Sequence, residues 1–131
     1  MLRIPRDQFT YEFGTTSAPV ATVSPGDQFV VETHDTSTGR IHRIEDVPEF
    51  VRIRDPLQVN PAAGPVFVEG ALPGDDLMVE ILDIRLQPYG FVRVLAGAGV
   101  LQKDIASDGA LMARIDEEHV VLGERLRLPL R

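Results

Sequence analysis

Apolar and polar residues alternate in short runs along the chain, and most runs are bounded by glycine, proline or small polar residues. Phe9, Tyr11 and Phe13 alternate with Gln8, Thr10 and Glu12, which predicts a half-buried strand ending at Gly14. Val20 to Val23 predicts a second short strand. Ser24-Pro25-Gly26-Asp27 predicts a type II turn, in which proline presets one central torsion and glycine accepts a positive φ at the next. Gln28 to Thr33 predicts the strand behind that turn, and Val66 to Val68 another. The longest pattern follows Pro73-Gly74-Asp75: Leu77, Val79 and Ile81 alternate, then Leu82, Ile84 and Leu86 alternate on the opposite parity. That slip predicts a strand with a β-bulge near Ile81-Leu82, or one that changes sheets there. Further strands are predicted around Phe91 to Leu95, Leu111 to Ile115, His119 to Leu122 and Leu126 to Leu130, with turns at Pro88-Tyr89-Gly90, Ser107-Asp108-Gly109 and Asp116-Glu117-Glu118.

Between Ile41 and Gln58 the pattern weakens. This stretch reads as a long irregular excursion, with a short strand around Val51 and Ile53 or a helical turn near Ile44 to Phe50. No segment sustains a 3.6-residue apolar period. The expected class is therefore all-β, mainly antiparallel, with sandwich or jelly-roll-like sheets joined by the two Pro-Gly-Asp turns. Residues 1–131 are expected to form a single β domain, a length sufficient to bury a core.

Composition changes this picture by exclusion. The formal charge of −7 argues against nucleic acid and anionic membrane as main partners. Cysteine is absent, so disulfides and thiolate ligands are excluded. Met1 to Asp7 has no apolar core suited to a secretory signal, and no apolar run is long enough to span a bilayer; a cytoplasmic location is expected.

Candidate chemistry concentrates at Glu32-Thr33-His34-Asp35, where an apolar strand runs into a polar loop that turns at Gly39. Glu32, His34 and Asp35 can serve as oxygen and nitrogen ligands of a divalent metal, or as a base with its orienter. A solvated loop with Asp35 capping a turn is the competing account. Glu69 precedes Gly70, whose missing Cβ lets backbone or substrate approach closely. It can act as a general base or hold a turn by accepting backbone N–H bonds. Asn60 can donate to a substrate carbonyl or form an Asx-turn before Pro61. Asp27 and Asp75 read as turn residues, and His42 and His119 as surface histidines.

Several of these stretches together resemble the N-terminal half of the acetamidase/formamidase family of amide hydrolases. The resemblance is carried by Pro25-Gly26-Asp27, Glu32-Thr33-His34-Asp35 with Gly39-Arg40-Ile41, Asn60-Pro61, Gly64-Pro65-Val66-Phe67-Val68-Glu69-Gly70-Ala71, Pro73-Gly74-Asp75, and Leu77 to Ile84. It is dense over roughly residues 20 to 86 and looser beyond. It implies a jelly-roll-related β core and hydrolysis of short aliphatic amides such as formamide or acetamide to a carboxylic acid and ammonia. It also implies a metal-containing oligomer. Under that resemblance Asp35 and His34 become metal ligands, zinc being the first expectation and calcium the second. Glu69 and Glu32 become catalytic carboxylates, and Asn60 and Gly70 substrate contacts.

The chain departs from the family pattern in three places. Ala62-Ala63 stand where members commonly have threonine, a His-rich opening is missing from residues 1 to 24, and a member is about twice this length. A complementary C-terminal half is therefore the expected partner, in a homo- or hetero-oligomer. The tail fits that expectation, since Leu126, Leu128 and Leu130 alternate with Arg125, Arg127 and Arg131 and should pack against another polypeptide. The alternative is a non-catalytic β-sandwich module for binding or assembly, built on the amidase scaffold.

Overall fold

The computed structural model describes residues 1–14 and 17–130, which leaves Arg131 of the tail outside the described residues. Among the described residues ten strands are formed, in order β1 (Leu2–Ile4), β2 (Phe9–Thr10), β3 (Ala21–Val23), β4 (Phe29–Val31), β5 (Ala62–Ala63), β6 (Val66–Val68), β7 (Tyr89–Val94), β8 (Gly109–Ile115), β9 (His119–Leu122) and β10 (Leu126–Pro129). One α-helix, α1 (Val47–Ile53), follows a 3-10 turn at Ile44–Asp46 and precedes β5. The mostly-β class is as expected. Contacts gather the chain into two units, Met1–Arg40 with Ile53–Glu80, and Ile41–Arg52 with Ile81–Arg131.

The first unit is built from three strand pairs. β1 runs parallel to β4, β3 parallel to β6, and β2 antiparallel to β5. Ile4 and Val23, which end the leading strand of each parallel pair, are its buried apolar residues. Both Pro-Gly-Asp segments close the same way. Asp27 N–H donates to Ser24 O and Asp75 N–H to Leu72 O, both at 3.0 Å, with Gly26 and Gly74 at φ +91° and +101°. The aspartate then accepts from the residue that opens the turn, Ser24 N–H on Asp27 and Leu72 N–H on Asp75, both at 2.8 Å. Only glycine adopts that φ without a Cβ penalty, so the turn chemistry dictates Gly followed by a capping carboxylate.

The second unit is an antiparallel meander in the order β10-β9-β8-β7. Phe91 lies opposite Met112, and these side chains pack with Ala110 against Ile41, Val47 and Phe50. The short strand proposed around Val51 and Ile53 is replaced by α1. Val47, Phe50 and Val51 fall at i, i+3 and i+4, so a single turn puts all three on the core, which no strand parity can do. Pro48 is tolerated because the first helical turn has no acceptor for its missing N–H. Arg93 lays its guanidinium over the Phe50 ring at 5.1 Å.

Two further sequence expectations are corrected. The strand expected over Phe9 to Phe13 is only Phe9–Thr10, because its partner β5 is two alanines long. The long strand expected from Leu77 to Leu86 forms no ladder, and so no bulge at Ile81-Leu82. Strand formation needs a neighbour that takes up the backbone groups, and none of the ten strands pairs with this segment.

Candidate functional site

Both nominated glutamates arise from one structural device. Where β4 ends, Glu32 N–H donates to Ile4 O at 3.0 Å; where β6 ends, Glu69 N–H donates to Val23 O at 2.8 Å. Each glutamate therefore sits one residue past a three-residue parallel strand, tied to the last carbonyl of the partner strand. Their side chains fold back onto that partner element. Glu32 Oε1 pairs with Arg3 Nη1 at 2.9 Å and Oε2 accepts Arg6 N–H at 3.3 Å. Glu69 Oε2 accepts the Ser24 hydroxyl at 2.7 Å. Ser24 and Arg3 were not nominated from the sequence. They lie 45 and 29 positions from the carboxylates they hold, and only the parallel pairing brings them close.

Because β4 stops at Val31, strand parity no longer governs Glu32 and His34, and the loop obeys its own hydrogen bonds. Asp35 Oδ1 accepts three: Ser37 N–H at 2.6 Å, Ser37 Oγ–H at 2.6 Å and Gly39 N–H at 3.2 Å. Ser37 is fully buried, and its Oγ accepts Arg40 N–H at 3.1 Å while its carbonyl accepts Arg40 Nε–H at 3.0 Å. Thr38, at φ +58°, hydrogen-bonds the Tyr11 hydroxyl at 2.9 Å. Asp35 is thus exposed yet organises the loop, as an Asx-type cap does.

His34 stands edge-on to the Phe9 ring at 5.3 Å, and Phe9 in turn meets Tyr11 at 5.4 Å. Its Nδ1 is buried and has no hydrogen-bond partner. A Cβ at Gly39, whose φ is +72°, would stand 3.6 Å from that nitrogen. That is ordinary van der Waals contact, so it is the positive φ rather than the imidazole that favours glycine here.

Asn60 is exposed at φ +57°, a conformation that asparagine tolerates better than most side chains. Gly70, at φ +78°, turns the chain after Glu69. No hydrogen bond or ring contact joins Glu69 or Asn60 to His34 or Asp35 among the described residues. Nor do any three His, Asp or Glu side chains among them converge where an ion could sit. Asp35 and His34 do not make a metal site by themselves, since three or four donors are needed and one Asp35 oxygen is engaged within its own loop.

The other histidines lie in the second unit. His42 Nδ1 meets the Tyr89 hydroxyl at 2.8 Å. His119 Nδ1 meets Arg127 Nη2 at 3.0 Å, and because guanidinium only donates, that nitrogen is the acceptor. Two aspartates in this unit have carboxyls held below the usual range. Asp46 accepts the backbone N–H groups of His42 and Arg43 together with the Arg43 side chain. Asp116 accepts the backbone N–H groups of Glu118 and His119, with Arg127 and Arg114 adding positive charge. Both are turn caps.

Residues 13–120 match the model of the Acetamidase/Formamidase family, and the chain belongs to that family. It is 46% identical over 65 residues to the formamidase of Methylophilus methylotrophus and 44% identical over 68 residues to the acetamidase of Mycolicibacterium smegmatis. These matches cover 50% and 52% of this chain but 16% of each relative. The crystal structure of the Bacillus halodurans acetamidase superposes with a TM-score of 0.86 at 31% identity, over 98% of this chain and 43% of that one. The chain therefore spans less than half of that acetamidase. No helix among the described residues is long and apolar enough to cross a membrane.

Proposed function

We propose that this chain is one part of an amide hydrolase that acts on short linear amides such as formamide or acetamide. It would complete its site with the polypeptide matching the remainder of its relatives. The observation that carries this reading is the pair of carboxylates, Glu32 and Glu69, fixed at the ends of two parallel strand pairs inside the family-matching region. Of the two, Glu69 is the better base. The Ser24 hydroxyl that it accepts is neutral and occupies one oxygen, whereas Glu32 is engaged on both oxygens and salt-bridged to Arg3. In the proposed reaction Glu69 accepts a proton from water as the water oxygen bonds to the amide carbon. The proton passes to the leaving nitrogen as the C–N bond breaks, giving the carboxylic acid and ammonia. Asn60 and the open backbone at Gly70 would position the amide.

His34 and Asp35 are this chain's contribution to any divalent ion, with zinc first and calcium second. Such an ion, when bound, supplies Lewis acidity to water and carbonyl. Its other donors would come from the remaining polypeptide, so no step here depends on it.

Ammonia release from formamide and acetamide tests the reading, measured on the chain alone and co-expressed with the complementary portion of the Bacillus halodurans acetamidase. Activity in the co-expressed sample that falls at least about 100-fold in Glu69→Gln supports it. Absence of ammonia in both samples overturns it. That result would leave the second reading, a non-catalytic binding or assembly module, which the lack of three converging donors among the described residues favours.

A further inference from the structure

The segment from Leu77 to Leu86 is at odds with its own composition. Leu77, Val79, Ile81, Leu82 and Ile84 are between 61% and 71% exposed, and Met78 is 92% exposed. They are contiguous along the chain, whereas scattered single apolar residues on a surface need no explanation. Apolar residues occupy both parities here. In a strand that pattern belongs to a position covered on both faces rather than one. The backbone tells the same story, since Leu77 to Leu86 enters no ladder and takes part in no backbone–backbone hydrogen bond among the described residues. The segment's charges are Glu80, Asp83 and Arg85, and the last two neutralise each other in a 2.9 Å ion pair, so one unpaired carboxylate stands among seven apolar residues.

We infer that Leu77–Leu86 is a docking strand for the polypeptide that corresponds to the remainder of the family-length enzyme, which covers it on both faces and pairs its backbone. This deepens, and rests on, the reading of the chain as one part of a larger amidase. Two observations select that occupant. The Bacillus halodurans acetamidase devotes more than half its length to polypeptide beyond the 43% that this chain covers, so a body large enough to bury both faces exists in the family. A second copy of this chain is the weaker occupant. Edge-to-edge pairing of two such segments would satisfy one row of backbone groups and leave the apolar faces bare.

The experiment co-expresses the full 131-residue chain with a tagged polypeptide comprising the part of the Bacillus halodurans acetamidase beyond the stretch this chain covers. Capture on the tag and amide hydrogen exchange across Leu77–Leu86 are the readouts. The expected result is capture, with these amides exchanging freely in the chain alone and slowed about 100-fold or more in the complex. The double substitution Val79→Lys with Ile84→Lys should weaken capture about tenfold or more. It should leave the melting temperature of the isolated chain unchanged, because both side chains are already solvent-exposed there. No capture overturns the inference. So does capture with unchanged exchange in the segment, and so does slow exchange in the chain alone, which would place the segment against its own chain or a second copy. Ammonia release by the captured complex is scored separately. Protection without ammonia refutes the amidase reading and leaves the docking strand standing, and ammonia without protection does the reverse.

Discussion

Replacing Asp35 by alanine should destabilise the Glu32-to-Arg40 loop before it changes any chemistry. The carboxylate Oδ1 is the acceptor for both donors of Ser37, at 2.6 Å each, and for Gly39 N–H at 3.2 Å. Ser37 is inaccessible to water, and alanine removes the oxygen that its N–H and O–H share. A hydrogen bond to a charged group contributes about 1.5–3 kcal/mol net. The two Ser37 donors share one acceptor and are not additive; the long, exposed Gly39 bond adds little. Asp35→Ala should therefore cost about 2–4 kcal/mol, whereas Asp35→Asn, which keeps an oxygen acceptor and loses only the charge, should cost about 1 kcal/mol. Urea unfolding supplies the magnitude, and hydrogen exchange at Ser37, Gly39 and the β1–β4 amides localises it. An alanine variant within about 0.5 kcal/mol of the parent, inside the range of neutral surface changes, would refute the account. The asparagine variant also separates roles: an intact loop with lost ammonia release assigns Asp35 to chemistry, while parallel losses assign it to the loop.

Two further outcomes are expected in the second unit. Among the described residues β10 pairs with β9 alone and leaves Leu126, Leu128 and Leu130 at 48%, 44% and 36% exposure, so covering them offers about 2–4 kcal/mol. Leu126→Asp with Leu128→Asp should dissociate any assembly built on this edge while leaving β1 to β6 folded, and an unchanged mass in light scattering with an unchanged melting temperature rejects the tail as an interface. Asp116 has its carboxyl lowered from 3.8 in the folded chain, so its stabilisation of the β8–β9 turn is complete above that value and is lost as pH falls through the folded value. Hydrogen exchange at Glu118 and His119 should then show the parent better protected than Asp116→Asn above about pH 5, with the difference closing in acid; a difference independent of pH excludes the carboxylate as its source.

The elements legible in the sequence are those whose partners are dictated locally. β7 through β10 follow one another as hairpins, so alternation and turn residues together specify both strand and neighbour. β3, β4 and β6 carry enough β-branched residues to read as strands, although their parallel pairing across tens of residues left no local mark. β1 and β5 were invisible. Ala62-Ala63 has no apolar period and becomes a strand only because Phe9–Thr10 lies opposite. α1 was ambiguous because seven residues, about two turns, are too few to separate a period of 3.6 from one of 2. The converse failure is Leu77 to Leu86. Its alternation is strong, but alternation records which faces a segment must bury, not whether anything is there to bury them.

The candidate site shows the same division. Residue types at Glu32, His34, Asp35 and Glu69 identified groups capable of ligation and proton transfer, and all lie at strand ends or the loop beyond. What sequence could not disclose is that each carboxylate already has a donor: Arg3 for Glu32, Ser37 for Asp35, Ser24 for Glu69. An ionised side chain gains more from a fixed donor than from exposed water only where the backbone holds that donor in place, and the two parallel pairs do this for Glu32 and Glu69. These bonds fix orientation at the cost of reactivity. Ser24 takes one Glu69 oxygen, the Ser37 and Gly39 donors take one Asp35 oxygen, and His34 Nδ1 has no hydrogen-bond partner. If the chain is one part of a larger amidase, as proposed, anchoring bonds already made and free oxygens still unmet are what such a part should show. Completion would then come from groups brought to those atoms, not from rearrangement of the strands that hold them.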